Sequence, residues 1–193
     1  MPYHTQGDEM AEFDLVIRGG TVVTAADIFR ADVGVRDGRI AALGERLDGA
    51  RVLDAAGLLV MPGGVDTHCH IEQLRANGGA DEESFVTGST ACLAGGTTTV
   101  ITFAAQFKGH GIRDTLAEYH RRAARAMVDY SFHQIITDPS DTVVRNEIPE
   151  VVASGVRSLK VFLTYEPSHL DDREFIRVLA QLVQREVGAH ASR

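Results

Sequence analysis

The sequence predicts an α/β chain: a small β-sandwich-like module over residues 13–60, then the first half of a (β/α)8 barrel of the TIM type over residues 61–193. Three observations carry this reading. Residues 13–60 hold several short β-prone runs, separated by glycine-containing turns, with no helical periodicity. Beyond residue 60 strands and helical stretches alternate, the pattern of a parallel sheet with right-handed crossovers. The strand ends, near His70, Phe103, Thr137 and Leu163, recur at about the 31-residue repeat of an eight-stranded barrel. A doubly wound sheet would fit the same spacing, but no GxGxxG or Walker glycine loop follows any of these strands.

In chain order, residues 1–12 are polar and carry Asp8, Glu9 and Glu12, and read as a disordered leader. They have neither the basic nor the apolar region of a secretory signal. Residues 13–18 are β-prone, Gly19-Gly20 reads as a turn, and 21–24 as a second strand. Residues 32–36 alternate and run into Asp37-Gly38, a two-residue hairpin signal, with 39–43 returning. A short strand follows at 51–54, then a turn at Ala56-Gly57. Residues 84–94 predict a helix with Phe85, Val86, Ala91 and Leu93 facing the core, stopped by Gly95-Gly96. Residues 97–103 are β-branched and apolar, as a buried parallel strand requires. Leu116, Tyr119 and Ala123 mark the core face of a helix over 114–127. A strand at 130–137, a weaker helix at 141–153 interrupted by Pro149, a strand at 156–163 and an acidic-started amphipathic helix at 171–187 complete the pattern. The barrel part has room for about four of the eight βα units. Half a barrel leaves two open sheet edges, so the sequence is expected to be the first part of a longer protein.

Composition narrows the function. A formal net charge of −8 and the lack of a basic stripe argue against a nucleic-acid partner. No run approaches the ~18–20 apolar residues of a membrane span. Two cysteines, Cys69 and Cys92, make no disulfide framework. With no secretory signal, a reducing, cytoplasmic setting is the expectation.

The chemistry concentrates at Met61-Pro62-Gly63-Gly64-Val65-Asp66-Thr67-His68-Cys69-His70. On a strand His68 and His70 point the same way, so their imidazoles can grip one divalent ion. Two hydrogen-bonded surface histidines would give the same motif. The position at a strand's C-terminal end favours the site, because barrel active sites lie there. Cys69 points to the opposite face and reads as packing. Asp66 either orients a ligand or caps a turn. Lys160 lies in the otherwise apolar 158–165 strand segment. A lysine buried there favours its neutral amine, which can take up CO2 and bridge two cations as a carbamate; alternatively it snorkels to solvent. It follows His68 by about three 31-residue repeats, which puts both on one barrel rim. Tyr165, in the loop beyond, is placed either to hydrogen-bond a carbonyl oxygen or to pack the loop. His133 reads as a satisfied core or supporting histidine.

These segments, with Phe13-Asp14-Leu15-Val16-Ile17-Arg18-Gly19-Gly20, Ala94-Gly95-Gly96-Thr97-Thr98 and Asp129-Tyr130-Ser131-Phe132-His133, resemble the amidohydrolase superfamily. The similarity is to the N-terminal part of its dihydropyrimidinase/hydantoinase branch of cyclic amidohydrolases. The resemblance implies two divalent metal ions, most often Zn2+, with His68 and His70 on one and carboxylated Lys160 bridging both. It implies that Tyr165 contacts the substrate carbonyl. The implied reaction opens the ring amide of a dihydropyrimidine or hydantoin to an N-carbamoyl amino acid. The implied whole protein is a homotetramer taking a small cyclic amide, with no nucleic-acid or membrane partner. An allantoinase- or dihydroorotase-like enzyme and a non-catalytic dihydropyrimidinase-like scaffold are the alternatives. The family's further ligands are histidines ending strands 5 and 6 and an aspartate after strand 8. Strands 6 and 8 have no counterpart here, and His190 matches the strand-5 histidine only loosely. Little activity is therefore expected of the 193 residues alone.

Overall fold

The structure, a computed structural model, describes residues 11–74, 79, 83–166 and 168–191, with side chains through residue 183. Residues 1–10 of the leader expected to be disordered lie outside these. The chain divides into two compact units, Met1–Pro62 and Gly63–Arg193.

In the first unit five strands form: β1 (Leu15–Val23), β2 (Ile28–Arg36), β3 (Arg39–Gly44), β4 (Val52–Asp54) and β5 (Leu59–Val60). Gly19-Gly20, expected as a turn, instead lies inside β1. The pairing of β1 with β2 slips between Ile17 and Gly20, a bulge that Gly19 permits at φ +72°. A Cβ at position 20 would sit 2.5 Å from Val60 Cγ2, so the close approach of β5 also needs glycine. The hairpin signal behaves as expected: Asp37 and Gly38 take φ of 53° and 69°, and Arg36 pairs with Arg39. β2 runs antiparallel to β1 and β3. β4 and β5 both run parallel to β1, beside residues 16–18 and 21–22. After β4 the chain turns, with Leu58 N–H donating to Ala55 O at 2.9 Å and Thr21 N–H to Leu58 O at 2.9 Å. It thus returns to the edge of β1 it has just left. The described residues therefore form one mixed five-stranded sheet rather than the expected sandwich-like module. Phe13, Val16, Val22, Val33 and Ala55 are its buried residues.

The second unit is a four-stranded parallel sheet in the order β6 (Gly64–Asp66), β7 (Thr97–Ala105), β8 (Asp129–Ile135), β9 (Ser158–Lys160). This is the parallel half-barrel sheet that the repeat predicted. Helices α1 (Phe85–Ala94), α2 (Ile112–Ala123), α3 (Ile148–Ala153) and α4 (Asp172–Ala191) accompany it. Ser84 and Thr87 form a capping box on α1. Of the four α1 residues assigned to the core, only Phe85 is buried; its partners are Gly88 and Ser89, while Val86 and Leu93 are 40% and 39% exposed. The buried face thus follows the i, i+3, i+4 rule from Phe85. Leu116, Tyr119 and Ala123 are buried as expected. Pro149 does not interrupt a helix: a π-helical turn, Val143–Glu147, precedes it, and it stands in the first turn of α3, where no N–H is needed. β9 is shorter than the predicted 156–163 strand, because beyond Lys160 the chain leaves β8 and Phe162 bridges to His169. On one face of the sheet Val100, Ala104, Phe132 and Gln134 are fully covered, with Tyr119 edge-on to Phe132 at 5.8 Å between ring centres. Among the described residues no helix is long and apolar enough to cross a membrane.

Candidate active site

Side chains alternate along β7 and β8, so the face opposite the helices carries Phe103 and His133, which are register partners. Ser158 pairs with His133 and Lys160 with Ile135 on β9. His68 and His70 follow β6 at the same, C-terminal, end of the sheet. The entry to β6 is tight: a Cβ on Gly63 would lie 2.7 Å from Thr98 Cβ and closer still to that side chain's tip.

These groups converge on one ring. Phe103, 2% exposed, has the His70 imidazole stacked on it and His68 edge-on, each 4.7 Å away between ring centres. His133 lies 5.0 Å from it. Lys160 Nζ stands 5.0 Å above it and 5.2 Å from the Phe162 ring. Lys160 is only half-buried. It is therefore less enclosed than the apolar strand implied, and its Nζ lies against two aromatic rings. Tyr165 is 58% exposed in the loop after β9 and packs on Phe162 at 5.6 Å.

The segment that bears the histidines is held residue by residue. Asp66 Oδ1 accepts the His68 backbone N–H at 2.9 Å, so Asp66 caps the turn. His133 spans two strand ends, one ring nitrogen 2.8 Å from Thr67 O and the other 2.6 Å from Ser158 Oγ. His70 Nδ1 meets Gln73 Oε1. Ile71 N–H donates to the buried Thr102 hydroxyl at 3.2 Å, and Leu74 N–H to Tyr119 Oη at 2.9 Å. Glu72, 8% exposed, accepts Phe85 N–H at 2.8 Å and pairs with Arg122 at 3.0 Å and Arg125 at 3.4 Å. Cys69 packs against the core, and burial, with the nearby Asp66 and Cys92, pushes its thiol up to about 11. A protonated thiol is a poor metal ligand, as its packing role predicts.

His190 lies in the last turn of α4, where the helical pattern runs on past 187. It is not at a strand end, and its side chain is outside the described residues. Among those residues no three His, Cys, Asp or Glu side chains gather as a ready cation site. The donors brought together are His68, His70 and Lys160. The His68 and His70 ring centres stand 5.8 Å apart, with the rings edge to face. Sequence reasoning missed Phe103 and Gln73. The first was within reach, since the β7–β8 alternation puts Phe103 beside His133; the second depends on a loop conformation that no local pattern announces.

Comparison with known proteins follows the same residues. The chain is 37% identical over 174 residues to a D-hydantoinase of Ralstonia pickettii and 38% over 186 residues to a dihydropyrimidinase of Rattus norvegicus. These matches cover 89% and 92% of this chain but 38% and 35% of the relatives, so it spans under two-fifths of their length. A solved D-hydantoinase structure superposes with a TM-score of 0.84 at 36% identity, over 89% of this chain and 38% of that one. Residues 1–63 match the model of the urease alpha-subunit N-terminal domain. Residues 59–165, which take in the paired histidines, Lys160 and Tyr165, match the amidohydrolase family model. With over half its length matched through the convergent strand ends, this chain belongs to the amidohydrolase family.

Proposed function

We propose that the chain serves in metal-dependent hydrolysis of cyclic amides, opening a dihydropyrimidine or hydantoin ring to an N-carbamoyl amino acid. The convergence of His68, His70 and Lys160 around Phe103, at one end of a parallel sheet, carries this reading. The relatives' names supply the substrate class. In this proposal His68 and His70 hold one divalent ion and carboxylated Lys160 bridges two, most often zinc. The ions would lower the pKa of a bound water and polarise the ring carbonyl. Tyr165 hydrogen-bonds the carbonyl oxygen; its exposure beside Phe162 supports that role. A homotetrameric whole protein is part of the same proposal.

The test is metal retention. The purified chain is loaded with Zn2+ and bicarbonate, desalted and analysed for zinc, beside His68→Ala, His70→Ala and Lys160→Ala. Zinc is expected in the parent chain, with affinity reduced at least tenfold in each histidine variant. Dihydrouracil and hydantoin are offered in parallel, with low turnover expected, since these three side chains are only part of a two-metal donor set. Equal zinc retention by all four proteins would remove His68 and His70 from the metal site.

A further inference from the structure

Residues 71–74 tie the His70 strand end to the helical layer, and only one of their side chains reaches an imidazole. Gln73 Oε1 meets His70 Nδ1. A neutral imidazole has one N–H and one lone-pair nitrogen, and an amide oxygen can only accept. With the amide oxygen turned towards the ring, as it is here, the contact takes a proton on Nδ1 and leaves the lone pair on Nε2; the opposite amide orientation would reverse this. Two further constraints make it persistent. Phe103 stacks on the His70 ring at 4.7 Å, with 20° between the planes, which opposes rotation of the ring. The Gln73 backbone is anchored on both sides: Glu72 is buried against Phe85 N–H, Arg122 and Arg125, and Leu74 N–H is bonded to Tyr119 Oη. Arg122 and Tyr119 belong to α2, so that helix sets the position of Gln73.

We propose that Gln73 is a positioning residue that locks His70 in the Nδ1–H tautomer, keeping Nε2 as its free donor nitrogen. The metal role of His70 rests on the function proposed above; the tautomer does not. Metal-ligating histidines commonly gain orientation and basicity from a partner on the other ring nitrogen, and loss of that partner typically costs about 10–100-fold in metal affinity.

Long-range 1H–15N spectra of the 15N-labelled chain, free of metal and at about pH 8.5 where unperturbed imidazoles are neutral, read the tautomer directly. His70→Asn assigns the signal. The parent chain and Gln73→Glu are expected to show Nδ1–H, and Gln73→Leu or the more nearly isosteric Gln73→Met to shift to Nε2–H, which free side chains favour. Co2+ titration of the same proteins is expected to show tenfold or greater weakening for Leu and Met and none for Glu. A merely structural Gln73 would lower thermal stability in the variants without changing the tautomer. Nε2–H in the parent chain, or an unchanged tautomer in both Leu and Met variants, overturns the proposal. If the tautomer behaves as expected but no protein takes up Co2+, the metal reading fails and the Gln73 assignment stands.

Discussion

Replacing Glu72 by alanine removes a carboxylate that holds together the loop behind the paired histidines. Its Oε2 caps the Phe85 N–H, the first amide of α1. That helix has no acidic residue in its own first turn, so Glu72 also supplies the anion that its dipole favours. Phe85 is fully buried, and an amide left unpaired there costs about 1–3 kcal/mol. Arg122 also pairs with Glu118 at 2.7 Å and is not orphaned, so loss of its contact with Glu72 adds only ~1 kcal/mol. Alanine keeps the positive φ of 48° at this position and relieves nothing. The expected loss for Glu72→Ala is therefore about 2–4 kcal/mol, a fall in Tm of roughly 4–16 °C for a chain of this size. Glu72→Gln keeps an acceptor for Phe85 N–H and forfeits the charge, which predicts ~1 kcal/mol. Urea unfolding of both variants, with a double-mutant cycle against Arg122→Met, separates the cap from the ion pair. A loss below about 0.5 kcal/mol for Glu72→Ala would refute the cap as the main contribution. Equal losses for the two variants would transfer it to the charge.

Gly63→Ala places a Cβ 2.7 Å from Thr98 Cβ, an overpacking expected to cost about 1–3 kcal/mol in denaturant melts and to be relieved in part by Thr98→Gly. With its thiol raised from 9.0 to about 11, Cys69 should react with iodoacetamide at pH 8 on the order of a hundredfold more slowly in the folded than in the unfolded chain; Cys69 alkylation at the unfolded rate would contradict the burial. Hydrogen bonds from Arg121 and Arg122 lower Glu118 from 4.5 to about 2. Its contribution to stability is thus full above pH 4.5 and disappears as pH falls through about 2. Solvent screening keeps that contribution small. Carbon-13 titration of the Glu118 carboxyl should show the depressed midpoint, and Arg121→Ala should raise it.

The legible parts of this protein are those set by neighbours along the chain. The Asp37-Gly38 turn, the Leu116/Tyr119/Ala123 face and the alternation of strands and helices after residue 60 are local, because turn dihedrals and helical and strand periods repeat over a few residues. The His-x-His pair was legible as a motif, but His68 and His70 follow β6 rather than lie on it, so strand alternation does not orient them; the barrel repeat related the motif to Lys160. What needed the tertiary structure was every decision taken between distant segments. Gly19-Gly20 became a bulge because β4 and β5 return to the edge of β1. α1 and α2 receive their buried carboxylates from elsewhere, Phe85 N–H from Glu72 and Ile112 N–H from Glu147 at 2.6 Å. Phe103 became the hub of the site, and Gln73 reached His70, because sheet register and a loop anchored on α2 put them there. Local pattern is enough to set His68 and His70 just beyond one strand and Lys160 at the end of another. How these side chains are oriented follows from long-range contacts that no local pattern encodes.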